Sequence, residues 1–159
     1  MIIIGWLPQS CGEQPPAASP SGGKPAAARP SSPSAVLNHI ALYVSDLSVS
    51  RRFYSDIVGL DTIPEPFRDG RHTWFSVGER AHLHLIAGAD SLPAYPRHTH
   101  LCFSVPSVAQ FVEQLTRQQI AYQDRDGRPN TITERVDGIK QIYFKDPDGY
   151  WIEINDDAY

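Results

Sequence analysis

The chain has 159 residues, is 41% hydrophobic and carries a formal net charge of −4, enough for one domain with a real core. With no cluster of Lys or Arg, that charge leaves no electrostatic footprint for nucleic acid, and no apolar run approaches transmembrane length. Its two cysteines, Cys11 and Cys102, are too few for a disulfide framework, and a bridge between a tail residue and one in an expected buried strand is not predicted.

Residues 1–34 differ in composition from everything after them. From Gln14 to Ser34 nearly every residue is Pro, Ala, Ser or Gly, which cannot build a core and predicts a disordered extension. Ahead of it, a short apolar run leads to Cys11-Gly12 and then to this spacer. That order resembles the end of a bacterial lipoprotein signal, although Leu7-Pro8-Gln9-Ser10 fit the usual lipobox imperfectly. The compartment therefore stays open: cytoplasmic by default, periplasmic or lipid-anchored through Cys11 as the alternative.

The foldable part begins near Ala35. Leu37 to Val44 is rich in strong β-formers and predicts a strand, with His39, Ala41 and Tyr43 on one face. Ser45 or Asp46 then caps a helix whose Phe53, Tyr54, Ile57 and Val58 form an apolar stripe, and Gly59 ends it. After a loop marked by Pro64 and Pro66, His72–Val77 and Ala81–Ala87 read as strands joined by Gly78-Glu79-Arg80. The second of these carries His82, His84 and Ile86 on one face. Beyond Pro93 and Pro96 the same order returns. Thr99–Val105 is a strand holding His100, and Ser107 with Gln110 makes a capping box for a helix bearing Val108, Phe111, Val112 and Leu115. Tyr122, Thr131–Val136, Ile139–Phe144 and Tyr150–Ile154 are the remaining predicted strands, the last two joined by the turn Asp146-Pro147-Asp148-Gly149. The chain thus reads as a βαβββ unit repeated, spanning residues 35–90 and 98–156 of a domain over 35–156, an α+β fold. An internal repeat of this kind is architectural evidence in itself.

Glu153 sits mid-strand, where a carboxylate needs an opposite charge, hydrogen bonds or a metal to offset its desolvation. The first and last strands of each unit carry His39 and His84 in one and His100 and Glu153 in the other. Asn38-His39-Ile40 answers Thr99-His100-Leu101, and Leu83-His84-Leu85 answers Ile152-Glu153-Ile154. Singly, each histidine reads as a core or surface residue; so do His72, His82 and His98. Together, three imidazoles and a carboxylate at matching places predict a site for a divalent ion such as Zn, Ni, Mn, Fe or Co.

The repeated units, the opening Asn38-His-Ile-Ala-Leu-Tyr-Val-Ser-Asp-Leu47 and the close Asp146-Pro-Asp-Gly-Tyr-Trp-Ile-Glu-Ile154 resemble the vicinal oxygen chelate superfamily. Its members include glyoxalase I, extradiol dioxygenases, fosfomycin-resistance thiol transferases and bleomycin-binding proteins. The resemblance implies two tandem modules curling a mixed sheet around a metal, with His39, His84, His100 and Glu153 as ligands. It also implies a homodimer in which module one of one chain and module two of the other complete each site. The shared chemistry is chelation of a small substrate through two adjacent oxygens, the metal acting as a Lewis acid.

Four ligands favour a glyoxalase I-like lyase isomerising a small substrate, which could be a thiol conjugate. Glu153 is then the candidate catalytic base, the alternative being a ligand only. The glyoxalase I position matching His84 is typically Glu, a departure that weakens this assignment. A clear glutathione-binding arginine set is also lacking, although Arg51, Arg68, Arg71 and Arg97 are available. Three ligands, His39, His100 and Glu153, suit instead a thiol transferase or a dioxygenase-like enzyme. A third reading is a bleomycin-resistance-like binding protein without catalytic metal. Trp74, Phe75, Tyr143 and Trp151 are candidate pocket residues, and Tyr43 a candidate donor behind His39.

Overall fold

The computed structural model describes residues 35–158, so the expectations for residues 1–34, Cys11 included, lie outside the described residues. The element order is β1 (His39–Val44), α1 (Leu47–Arg52) continued by a π-helical turn (Phe53–Val58), β2 (Thr62–Ile63), β3 (His72–Val77) and β4 (Ala81–Ala87), then β5 (His100–Ser104), α2 (Val108–Arg117), β6 (Thr133–Glu134), β7 (Lys140–Lys145) and β8 (Trp151–Asn155). These form two four-stranded sheets of identical plan, β1-β4-β3-β2 and β5-β8-β7-β6. In each, the first strand pairs in parallel with the last, and the other pairs are antiparallel. A βα crossover followed by hairpins gives that mixed sheet. Among the described residues, no helix is long and apolar enough to cross a membrane.

Each sheet turns its apolar face to a shared core. Leu42, Val44, Phe75, Leu83 and Leu85 of the first meet Ile142, Phe144, Ile152 and Ile154 of the second around Tyr54, Ile57, Val108, Phe111 and Leu115 from the helical segments. Phe75 is therefore a core residue rather than a pocket wall, since period-two alternation puts it opposite Trp74. The helices start as their caps dictate. The Asp46 carboxylate accepts from Ser48 N and Val49 N, and Ser107 Oγ from Gln110 N. Gly59, at φ 84°, ends the first in the left-handed conformation open to glycine.

Three elements differ from expectation. Strand β6 keeps only two residues of Thr131–Val136, because Asp137-Gly138 draws the chain into a turn tied by Gly138 N to Arg135 O. Around Tyr122 the chain forms only isolated bridges of Gln123 to Pro129 and Tyr143. The end of the first helix widens into the π-helical turn, from which Tyr54 reaches Asp146.

That contact belongs to a clasp between the modules. Asp146 Oδ1 accepts from Asp148 N (3.0 Å) and Tyr150 N (2.8 Å), and Tyr54 OH donates to its Oδ2 at 2.9 Å. Asp148 in turn accepts from Ser45 N and Oγ and from Ser50 Oγ, so the turn of module two is bolted to the first helix of module one. Burial pushes the Asp146 carboxyl from 3.8 up to about 6, outweighing its hydrogen bonds. The folded chain thus holds this proton more tightly than the unfolded one. Its contribution to stability is fully present below pH 3.8 and lost as pH rises through about 6, a cost of at most about 3 kcal/mol at neutral pH. Asp146→Asn keeps the acceptor for the two backbone N–H groups and removes the charge. It is expected to raise the Tm at pH 8 by on the order of 5 °C, with the gain shrinking toward zero near pH 4 in thermal melts.

Candidate metal centre

The second face of each sheet is polar, and strand register sets what it presents. In module one, β3, β4 and β1 align Trp74, His84 and Ala41 in one row and Ser76, His82 and His39 in the next. In module two, β7, β8 and β5 align Tyr143, Glu153 and Cys102, then Lys145, Trp151 and His100. His84 and Glu153 thus hold the same register position in their modules, as do His39 and His100. Each of the central pair has an aromatic neighbour on the adjoining antiparallel strand.

In module one the His84 ring lies parallel to Trp74 (centroids 4.0 Å, 1°) and to His39 (4.3 Å, 8°). Ala41, across from His84, leaves room for the His39 ring to reach over it. His39 Nδ1 lies 2.8 Å from Asn38 Oδ1, which commits its proton there and leaves Nε2 with a lone pair. His84 is 9% exposed. Burial, then the neighbouring imidazoles of His39, His82 and His72, hold its pKa below the ordinary 6.5, so at neutral pH it is in the uncharged form a metal requires. Among the described residues its Nε2 is buried with no hydrogen-bond partner, and a buried nitrogen without a partner costs about 1–3 kcal/mol.

In module two, Glu153 is only 7% exposed and both its oxygens are held. Tyr143 OH donates to Oε2 at 2.5 Å and Asn155 Nδ2 to Oε1 at 3.2 Å, while Gln141 Nε2 donates to the Tyr143 oxygen at 2.9 Å. His100 Nδ1 is 2.7 Å from the Arg97 carbonyl and its Nε2 is 3.1 Å from Glu153 Oε2. A carbonyl only accepts, so Nδ1 carries a proton. Nε2 faces a carboxylate oxygen, which only accepts, so the contact calls for a proton or a cation between them.

An unpartnered buried imidazole nitrogen in one module and an imidazole–carboxylate pair in the other are donors of the types that a divalent ion with mixed nitrogen and oxygen ligands takes. Within one chain, however, the four do not meet. Among the described residues, no three His, Cys, Asp or Glu side chains converge. The pairs His39–His84 and His100–Glu153 stand separately, on polar faces whose edge strands leave His39, Ala41, His100 and Cys102 exposed.

Several other sequence expectations change. Cys102, expected to be buried, is exposed because β5 is an edge strand; its thiol is nonetheless pushed up to about 12, by burial first and then by the Glu153 charge. Tyr43 donates to the Gly88 carbonyl and so braces the end of β4 rather than His39. His82 lines the module-one cleft with His39 and His84, and His72 pairs with Asp69 at 2.9 Å. The clamp of Tyr143, Asn155 and Gln141 on Glu153 was not read from the sequence. Alternation alone puts Asn155 on the face of Glu153, but Tyr143 faces Glu153 only because the β7–β8 loop runs from 146 to 150, one residue longer than the expected turn. Since such supporting hydrogen bonds fix ligand geometry, Tyr143→Phe is expected to weaken metal binding by roughly 10- to 100-fold, read by titration of the metal-free protein.

Comparison with known proteins agrees with this architecture. The model of the Glyoxalase/Bleomycin resistance protein/Dioxygenase superfamily matches residues 36–154. The metallothiol transferase FosB of Staphylococcus epidermidis is 30% identical, the match covering 75% of this chain and 80% of that protein. A lactoylglutathione lyase of Pseudomonas putida is 28% identical, covering 83% and 91%. The crystal structure of a glyoxalase/dioxygenase from Nostoc punctiforme superposes with a TM-score of 0.65 at 27% identity, covering 78% of this chain and 92% of that one. From its repeated modules, their shared register and these matches, the chain belongs to the glyoxalase/bleomycin resistance/dioxygenase superfamily.

Proposed function

We propose that this protein is a divalent-metal-dependent enzyme of glyoxalase I type, isomerising a small substrate that chelates through two adjacent oxygens. The observation that carries this is the unpartnered Nε2 of buried His84 beside His39, which supplies a fourth ligand to His39, His100 and Glu153. The two half-sites of one chain do not meet, so the reading includes a homodimer in which His39 and His84 of one copy face His100 and Glu153 of the other. When bound, the ion supplies a Lewis-acid charge to the substrate oxygens.

The remaining work falls to side chains. Glu153 is the base, and Oε2, held between Tyr143 and His100, is the oxygen that takes a proton from the carbon beside one chelating oxygen and returns it to the adjacent carbon. No atom is gained or lost in that transfer. Of the four arginines singled out in the sequence, Arg97 stands over the Tyr143 ring, 5.4 Å from its centroid. It is the cation positioned to hold an anionic arm of a thiol conjugate.

The similarity to the metallothiol transferase favours a second reading, a thiol transferase using only His39, His100 and Glu153. Metal-loaded protein should be assayed against a hemithioacetal and, separately, against a thiol with an epoxide. Isomerisation that disappears in Glu153→Gln supports the first reading. Thiol consumption dependent on the epoxide moves the assignment to the second, and stoichiometric ligand binding without metal sinks both.

A further inference from the structure

We propose that the substrate carries a planar, conjugated group next to its chelating oxygens, and that this group lies against Trp74 and Phe67 of module one. This rests on the metal-chelating reading above and adds a substrate class to it.

The two polar faces share a register but not a chemistry. Around Glu153 the equivalent positions are hydrogen-bonding groups: Gln141, Tyr143, Asn155 and Ser104 are tied to one another or to the carboxylate. Around His84 they are His72, Trp74, Tyr43 and Ile86, three rings and one aliphatic side chain, with Phe67 added from the loop before β3. Trp74 stacks on His84 from the side opposite His39. Phe67 meets Trp74 edge-on (6.0 Å, 80°) and lies over His72 at 4.7 Å. These rings line a cleft of about 540 Å³ with His39, His82 and His84, within the size range of small-molecule sites. A flat, conjugated ligand fits such a wall through offset and edge-on ring contacts, whereas an aliphatic arm would leave the ring faces bare.

Two further observations point to an occupant. Among the described residues the indole Nε1 of Trp74 is buried without an acceptor, an unmet donor in the wall of the cleft. Phe67 is 60% exposed, although the backbone holds it in place. The Glu65 carboxylate accepts from both Phe67 N and Arg68 N, and Arg68 adopts φ 52°. A large apolar ring held at a cleft mouth by a defined turn, rather than folded into the core, is placed to cover a ligand.

The test uses two non-reacting chelators with the same pair of oxygens, benzohydroxamate and acetohydroxamate, titrated calorimetrically into zinc-loaded full-length protein and corrected for their affinities for free zinc. Benzohydroxamate is expected to bind at least about tenfold more tightly, the return from covering one phenyl ring. Phe67→Ala, at an exposed position that does not challenge folding, should remove most of that preference and leave acetohydroxamate unchanged; Trp74→Phe should reduce it in part. Equal affinities in the wild type, or a preference that survives Phe67→Ala intact, would overturn the proposal while leaving the metal reading in place. If neither hydroxamate binds, the chelation reading fails and the proposal falls with it.

Discussion

Replacing His84 with alanine is expected to weaken binding of a divalent ion by more than about 100-fold, above the range typical for residues that merely support a ligand. The expectation rests on a nitrogen that has nothing else to do. His84 is buried, held neutral by its surroundings and unpartnered at Nε2, while both ring faces are already occupied by Trp74 and His39. Stacking explains where the ring lies but not why a buried nitrogen goes without a partner; the proposed metal would supply one. His82→Ala is the control, since His82 lies two residues away on the same face of β4, and its loss should change affinity by no more than a few-fold. Metal titrations with melting curves on both variants separate loss of a ligand from loss of fold. Retention of near-wild-type affinity in His84→Ala would reduce the site to three ligands and favour the thiol transferase.

Mixing two inactive chains is expected to restore metal binding. If the site joins module one of one copy to module two of another, His39→Ala and Glu153→Ala homodimers are each defective at both sites. After denaturation and joint refolding, half of the dimers pair one chain of each kind. Each such dimer has one site lacking both residues and one intact site, so about a quarter of all sites should bind metal tightly. A site built within one chain would give none, because each chain then carries its own defect. The expectation follows from two facts about a single copy: no three metal-binding side chains converge among the described residues, and His39 and His100 lie exposed on edge strands. The readout is metal stoichiometry in the refolded mixture against each variant refolded alone.

The sequence by itself determined the two βαβββ modules, helix caps at Ser45 or Asp46 and at Ser107, the alternation that puts His39 with Ala41 and Glu153 with Asn155, and the sites of most turns. These depend on interactions within a few residues: period-two side-chain alternation, side-chain caps and the φ preferences of Gly and Pro. Only the tertiary structure decided what stands beside each candidate ligand. The parallel pairings β1–β4 and β5–β8 join residues more than 40 positions apart, and no local pattern sets their register. Shifting β8 by one residue would exchange its faces and take Glu153 away from Tyr143. The same long-range pairing leaves β1 and β5 at sheet edges, with Cys102 exposed and the His39–His84 and His100–Glu153 pairs not converging among the described residues. Local chemistry wrote the four candidate ligands into the strands, and packing of distant strands decided that they stand as two separate pairs, each with its own surroundings.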